Sequence, residues 1–334
     1  MKKEKIFAQD KQHLKLLIEK EIELSGLHCD LSHIDISFIK DVSVLFYNSK
    51  FNGNISAWNT KNVESMRGMF YGSAFNGDIS GWNISNVEDM SLMFYESQFD
   101  DDISKWSTSK VKSMSSLFEK SDFNGDISAW NVSNVESMRD MFYKSKFNRD
   151  ISKWDTSQVK NMYQMFCSSQ FNGNISAWNV SNVRNMSSMF RESKFNSDIS
   201  QWDTSNVINM QNMFSSSVFN SNISSWNTSN VINMQNMFAQ SKFNGDISQW
   251  DVSKVENMSC MFFGSPFNGD IDNWKVYELK SVLEMFTDCQ RNIPYWAQIE
   301  NAQERCSAID AYHNKKNLDK VLEKKDSSAK VIKI

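Results

Sequence analysis

The chain has 334 residues, 40% of them hydrophobic, with two prolines and a net charge of −4. That composition fits one folded body and argues against a nucleic-acid binder, which normally carries a basic stripe. No stretch approaches the ~18 apolar residues that a membrane-spanning helix needs.

The chain opens Met1-Lys2-Lys3-Glu4-Lys5, basic in character but without an apolar run or a lipobox cysteine behind it. As written, this predicts a cytoplasmic protein; a signal upstream in the native gene would make it surface-bound or secreted. Asp10 is placed to cap a helix reaching about Leu24, with Leu14, Leu17, Ile18 and Ile22 on one face and Ser25-Gly26 as its stop. Residues 1–26 are therefore expected to form a helical cap over an otherwise open end.

A phenylalanine then recurs every 24 residues from Phe51 to Phe267 without a slip. A fixed period of this kind is the signature of a solenoid. Numbered from that Phe, position 8 is Trp from Trp58 to Trp274, position 16 is Met from Met66 to Met258, and position 20 is Phe from Phe46 to Phe286. Such strict columns mark stacked core rather than a cofactor box. One degenerate unit extends the series at each end, giving eleven units over residues 27–290.

Within residues 123–146, Ile127, Trp130 and Val132 carry L-x-x-L-x-L spacing, and positions 8 and 10 alternate as a strand does. Val135, Met138, Met141 and Phe142 are spaced by threes and fours, which predicts a short helix with Ser133 and Asn134 as cap candidates. Asn124-Gly125-Asp126 has the residues of a tight turn. The predicted unit is turn, strand, cap and short helix, and the predicted class is an α/β repeat solenoid with helical caps.

After residue 290 the period ends. Ile293, Tyr295, Trp296 and Ile299 read as a lid, followed by a helical pattern through about Tyr312, a second from about Leu318 to Lys324, and a basic tail. Residues 291–334 form the expected C-terminal cap. The tail has the composition of an anion-binding segment or of a solvated helix end. The five cysteines, Cys29, Cys167, Cys260, Cys289 and Cys306, lack C-x-x-C spacing, which favours reduced thiols. His13, His28, His33 and His313 show no metal-ligand spacing.

The unit F-N-x-D-I-S-x-W-N/D-V/T-S-N-V-x-N-M-x-x-M-F resembles the BspA-like leucine-rich repeat proteins of bacteria, a group that includes mycoplasma-type surface lipoproteins. The resemblance covers residues 27–290. It implies a right-handed strand-and-helix coil and a binding role, often at the cell surface, with no catalytic residues to carry over. The N-terminus departs from that pattern, since surface members carry a signal.

Four columns are candidate sites. Position 2 is Asn in nine units and reads as a structural ladder. Position 4 is Asp or Asn throughout; stacked carboxylates invite either a bridging calcium or an Asx-turn at each corner. Position 9 (Asn59, Asn83, Asn131, Asp155, Asp203 and Asp251 among others) forms a polar ribbon that is either a reader of repetitive ligands or solubilising surface. Position 21 carries Tyr47, Tyr71 and Tyr95, then Tyr143 after an interruption at Glu119. Tyrosine is a favoured interface residue, although these rings could also pack beside Phe46, Phe70 and Phe94.

No nucleophile–base pair, phosphate loop or metal set stands out, so neither catalysis nor a cofactor is expected. The expected function is a non-enzymatic, protein-binding solenoid of a bacterium, monomeric, with a glycan as the second choice of ligand. A surface or secreted adhesin is the version the resemblance implies. A cytoplasmic inhibitor or immunity-type binder is the version the N-terminus implies.

Overall fold

A computed structural model describes residues 4–331. Met1–Lys3 and the end of the basic tail, 332–334, lie outside the described residues. Residues 27–290 stack as a solenoid of 24-residue coils, tied together by parallel bridges at position 15 from Asp41↔Ser65 to Asn257↔Ser281.

The sixth coil, residues 147–170, shows how each is built. The predicted helix over positions 13–20 does not form, nor does a strand at positions 8–10. A chain of overlapping four-residue turns stands in the helix's place. The N–H of Met165 donates to Met162 O, Cys167 to Gln164 O and Ser169 to Phe166 O. The intervening N–H groups leave the coil: Met162, Gln164, Phe166 and Ser168 donate to the carbonyls of Asn185, Ser187, Met189 and Arg191 in the next coil. Tyr163 N–H donates to Asn161 Oδ1. Every N–H from 162 to 169 thus has a partner, as a buried backbone requires.

This geometry needs a left-handed residue at positions 18 and 22, and every coil supplies one: Gln164 has φ 52° and Ser168 φ 53°. A left-handed third residue is the type II turn signature. A helix would have kept all its hydrogen bonds inside the coil and left the stack unpaired. The inter-coil ladder wins because it holds each coil to both neighbours. The apolar spacing is served equally well, since Val159, Met162, Met165 and Phe166 are all buried.

The aromatic columns form the core. Trp154 stacks 6.3 Å from Trp178, and its Nε1–H donates to Ile127 O of the preceding coil at 3.2 Å. Phe142 and Phe147 stack at 4.4 Å, joining position 20 of one coil to position 1 of the next. Buried rings of this kind each remove roughly 150–250 Å² from water. The asparagine ladder is present: Asn148 N–H donates to Asn124 Oδ1 at 3.0 Å, and the pattern recurs at every step from Asn52 to Asn268. Asp100 substitutes without a break, because the ladder needs only an acceptor oxygen.

At the N-terminal end, β1 (Ile6–Phe7) pairs in parallel with β2 (Ile34–Asp35), and α1 (Lys11–Ser25) buries Leu14 and Ile18 in the core. Asp10 caps α1 by accepting from His13 N–H at 2.8 Å. At the other end Trp296, in the short 3-10 turn Tyr295–Gln298, extends the tryptophan column: it stacks 6.3 Å from Trp274 and donates to Ile271 O. Beyond it runs a single helix, α2 (Ala302–Val331), rather than the two predicted. The join at Asn314–Asn317 contains neither glycine nor proline, so nothing stops the first helix.

Candidate interaction face

Two surfaces were candidates from the sequence, and the coil places them apart. The first is the corner ribbon of positions 4 and 9. At position 4, Asp150 Oδ1 accepts from Ser152 N–H at 2.9 Å, and the same Asx-turn recurs from Asp30 to Asp270. These bonds hold the carboxyls of Asp102, Asp126, Asp150, Asp198 and Asp246 below their ordinary range.

Position 9 does the same. Asn59, Asn83, Asn131, Asp155, Asp203 and Asp251 each accept, through Oδ1, from the N–H two residues on. All six are exposed, but one oxygen of each is committed to its own turn. Among the described residues there is no group of three or more His, Cys, Asp or Glu able to hold a metal ion.

The second surface is the turn face of positions 17, 18, 21 and 22. Tyr47, Tyr71 and Tyr95 stack in a continuous row, with centroids 4.8 Å and 4.3 Å apart. They lie outside the buried core that holds Phe46, Phe70 and Phe94; Tyr47 is 52% exposed, and Tyr71 and Tyr95 are half-buried. Burial, with the Tyr95 hydroxyl beside it, pushes the Tyr71 phenol up to about 12, so it remains a neutral hydroxyl. Lys120 ends the row: its Nζ lies 2.8 Å from Tyr95 Oη and 2.8 Å from Glu96 Oε1, and 5.1 Å from the Tyr95 ring centre.

Tyr143 does not join the row. Glu119 separates it, and Lys144 lies 5.3 Å over its ring. Burial raises the carboxyls of Glu119 and Asp140, the latter bonded to Arg139 Nε at 2.8 Å.

Further along the same column the side chains shrink. Ser215 and Ala239 occupy position 21 between Arg191 and Phe263, and a hollow of about 520 Å³ opens there, with Glu284 at its edge. The sequence reading missed this hollow and Phe263 with it. The signal was present as a change of side-chain size down one column, but only its tyrosine end was followed.

No curated protein and no solved structure matches the chain. The family described as "Mycoplasma protein of unknown function, DUF285" matches it in three overlapping copies, over residues 19–122, 96–196 and 191–296. Those copies together span the whole array, and the chain belongs to this Mycoplasma repeat family.

Proposed function

We propose that this chain is a non-enzymatic protein-binding solenoid whose partner docks on the turn face, anchored by Tyr47, Tyr71 and Tyr95 and received at the hollow beside Ser215 and Ala239. The observation that carries this reading is the asymmetry of position 21. A column that runs from stacked aromatics to a hollow gives a partner one register. A ribbon that repeats nearly the same groups every 24 residues offers many near-equivalent registers. Interface energy concentrates in a few aromatic anchors.

Membership in a mycoplasma repeat family favours the surface version, a host-facing adhesin akin to the BspA-like leucine-rich repeat proteins. A cytoplasmic inhibitor or immunity-type binder is the alternative, and localisation of the native full-length protein separates the two. The binding test is direct. A partner captured on the immobilised chain is titrated calorimetrically against wild type and Tyr71→Ala/Tyr95→Ala. The double variant should bind at least roughly tenfold more weakly with little loss of stability. Unchanged affinity would move the site to the ribbon or the C-terminal end.

A further inference from the structure

Where α2 crosses the last coils it leaves a second cavity, of about 600 Å³. One wall is the corner of the tenth and eleventh coils, with Asp251, Asn273 and Lys275; the other is the helix, with His313, Lys316 and Lys320. Three lysine side chains from two separate elements therefore line one concavity of a chain whose net charge is −4. One carboxylate opposes them, and Oδ1 of that Asp251 accepts from Ser253 N–H at 3.0 Å. Lys316 is fixed by a 2.6 Å bond from Nζ to Asn273 Oδ1. His313 Nε2 is buried without a partner.

We propose that this cavity binds the phosphate group of a small phosphorylated molecule, with Lys275, Lys316 and Lys320 supplying the charge and His313 lying in the cavity wall. The site is separate from the turn face and does not rest on the protein-binding reading. Its volume falls in the range of small-molecule sites. Ammonium groups are effective phosphate partners as point charges.

The histidine makes the proposal specific. Burial, then the charges of Lys275 and Lys316, hold its imidazole below the ordinary value, while a backbone bond at Asn273 and the charge of Asp310 act the other way. Tyr312, on the same helix, meets the ring edge-on at 5.5 Å. With Asp251 and Lys320, these are the charged and titratable groups around it. A bound phosphate would offset the lysine charges, so the pKa of the imidazole should rise.

Inorganic pyrophosphate and ATP are the probes, titrated calorimetrically into the full chain at low salt. The imidazole of His313 is followed by NMR as pH is varied. The expected result is saturable binding, at least tenfold weaker in Lys275→Gln/Lys316→Gln, with the pKa of His313 raised by the bound probe. Lys320→Gln, exposed on the helix, should weaken binding in the same direction and guards against a folding defect in the double variant. No binding of either probe, or equal binding by wild type and all variants, would overturn the proposal. So would binding only to vesicles containing phosphatidylglycerol, which would transfer the basic face to a membrane surface.

Discussion

The corner ribbon and the turn face are made by the same repeat, yet they treat sequence variation in opposite ways. On the ribbon, Asx side chains hold their own backbone at every position 4 and at most of position 9, where Ser107 and Lys275 are the exceptions, so substitution is largely confined to residues that offer the same oxygen. On the turn face the backbone is held by hydrogen bonds between coils, and the side chains at positions 17, 18, 21 and 22 are released from that duty. The consequence is visible along position 21, where Tyr47, Glu119, Cys167, Arg191, Ala239 and Phe263 all sit on one backbone course. Uniform geometry with free side chains is the condition for a surface that can be fitted to a particular partner.

The largest test of this division is a deletion. Removing residues 147–170 takes out one ribbon segment and one turn segment together and returns each remaining coil to its proper neighbour. Removing residues 147–158 leaves ribbon residues facing turn residues, and both ladders lose their partners. The first variant should unfold cooperatively near the wild-type temperature, as linear arrays allow. The second should lack a cooperative transition by circular dichroism. Equal behaviour of the two would mean that 24 residues is not the structural unit.

Next in size is the effect of closing the hollow. Ala239→Tyr places on the ninth coil a side chain that the same column already carries at Tyr71. The backbone can therefore hold it, and stability should be nearly unchanged. Partner affinity should fall at least tenfold, which is about 1.4 kcal/mol. A variant that binds as wild type does would confine recognition to the tyrosine end.

Much of this molecule was legible in its sequence, and what was not has a physical cause. The Phe, Trp and Met columns identify themselves, because a buried position in a stack tolerates little variation. The asparagine ladder was legible because each rung needs an acceptor oxygen for the backbone N–H of the next coil. The backbone of positions 16–23 was not. Apolar residues spaced by three and four fit a helix and a run of overlapping four-residue turns equally, so Val135, Met138, Met141 and Phe142 could not discriminate between them. The discriminating residues were Gly68, Asn212, Asn236, Gly72 and Gly264, types that tolerate a left-handed backbone, scattered through two columns of otherwise mixed residue type. The cavity under α2 was invisible for another reason: it exists only once the helix is laid across the coils.

The same backbone gives a smaller test with opposite signs on the two surfaces. Val44 is β-branched and left-handed, with φ 52°, on the exposed turn face. Val44→Gly should relieve that strain and raise stability by about 1 kcal/mol after the entropy of the added glycine is counted. On the ribbon, Asn131→Ala removes the acceptor of Ser133 N–H and should lower stability by about 1 kcal/mol. Denaturant melts of the two variants check both signs; a destabilised Val44→Gly would show that the valine side chain contributes more than its backbone costs.

The smallest expected effect separates the surfaces by pH. On the ribbon, hydrogen bonds from Ser152 lower the pKa of Asp150. A carboxyl lowered on folding stabilises the fold above its unfolded pKa, near 3.9, and loses that contribution as pH falls through the folded value. On the turn face, burial raises the pKa of Glu119. There the folded state holds the proton more tightly, so stability declines as pH rises from the unfolded value through the folded one. Asp150→Asn should therefore melt below wild type at pH 7 and converge with it in strong acid. Glu119→Gln, which keeps an acceptor for Ser116, should instead gain on wild type as pH rises from about 3 to 7. Each difference should be only roughly a degree or two, because Asp150 is exposed and solvent screens its interactions. Parallel pH profiles for the two variants would remove the electrostatic distinction between ribbon and turn face, leaving the contrast between them to hydrogen bonding and side-chain size.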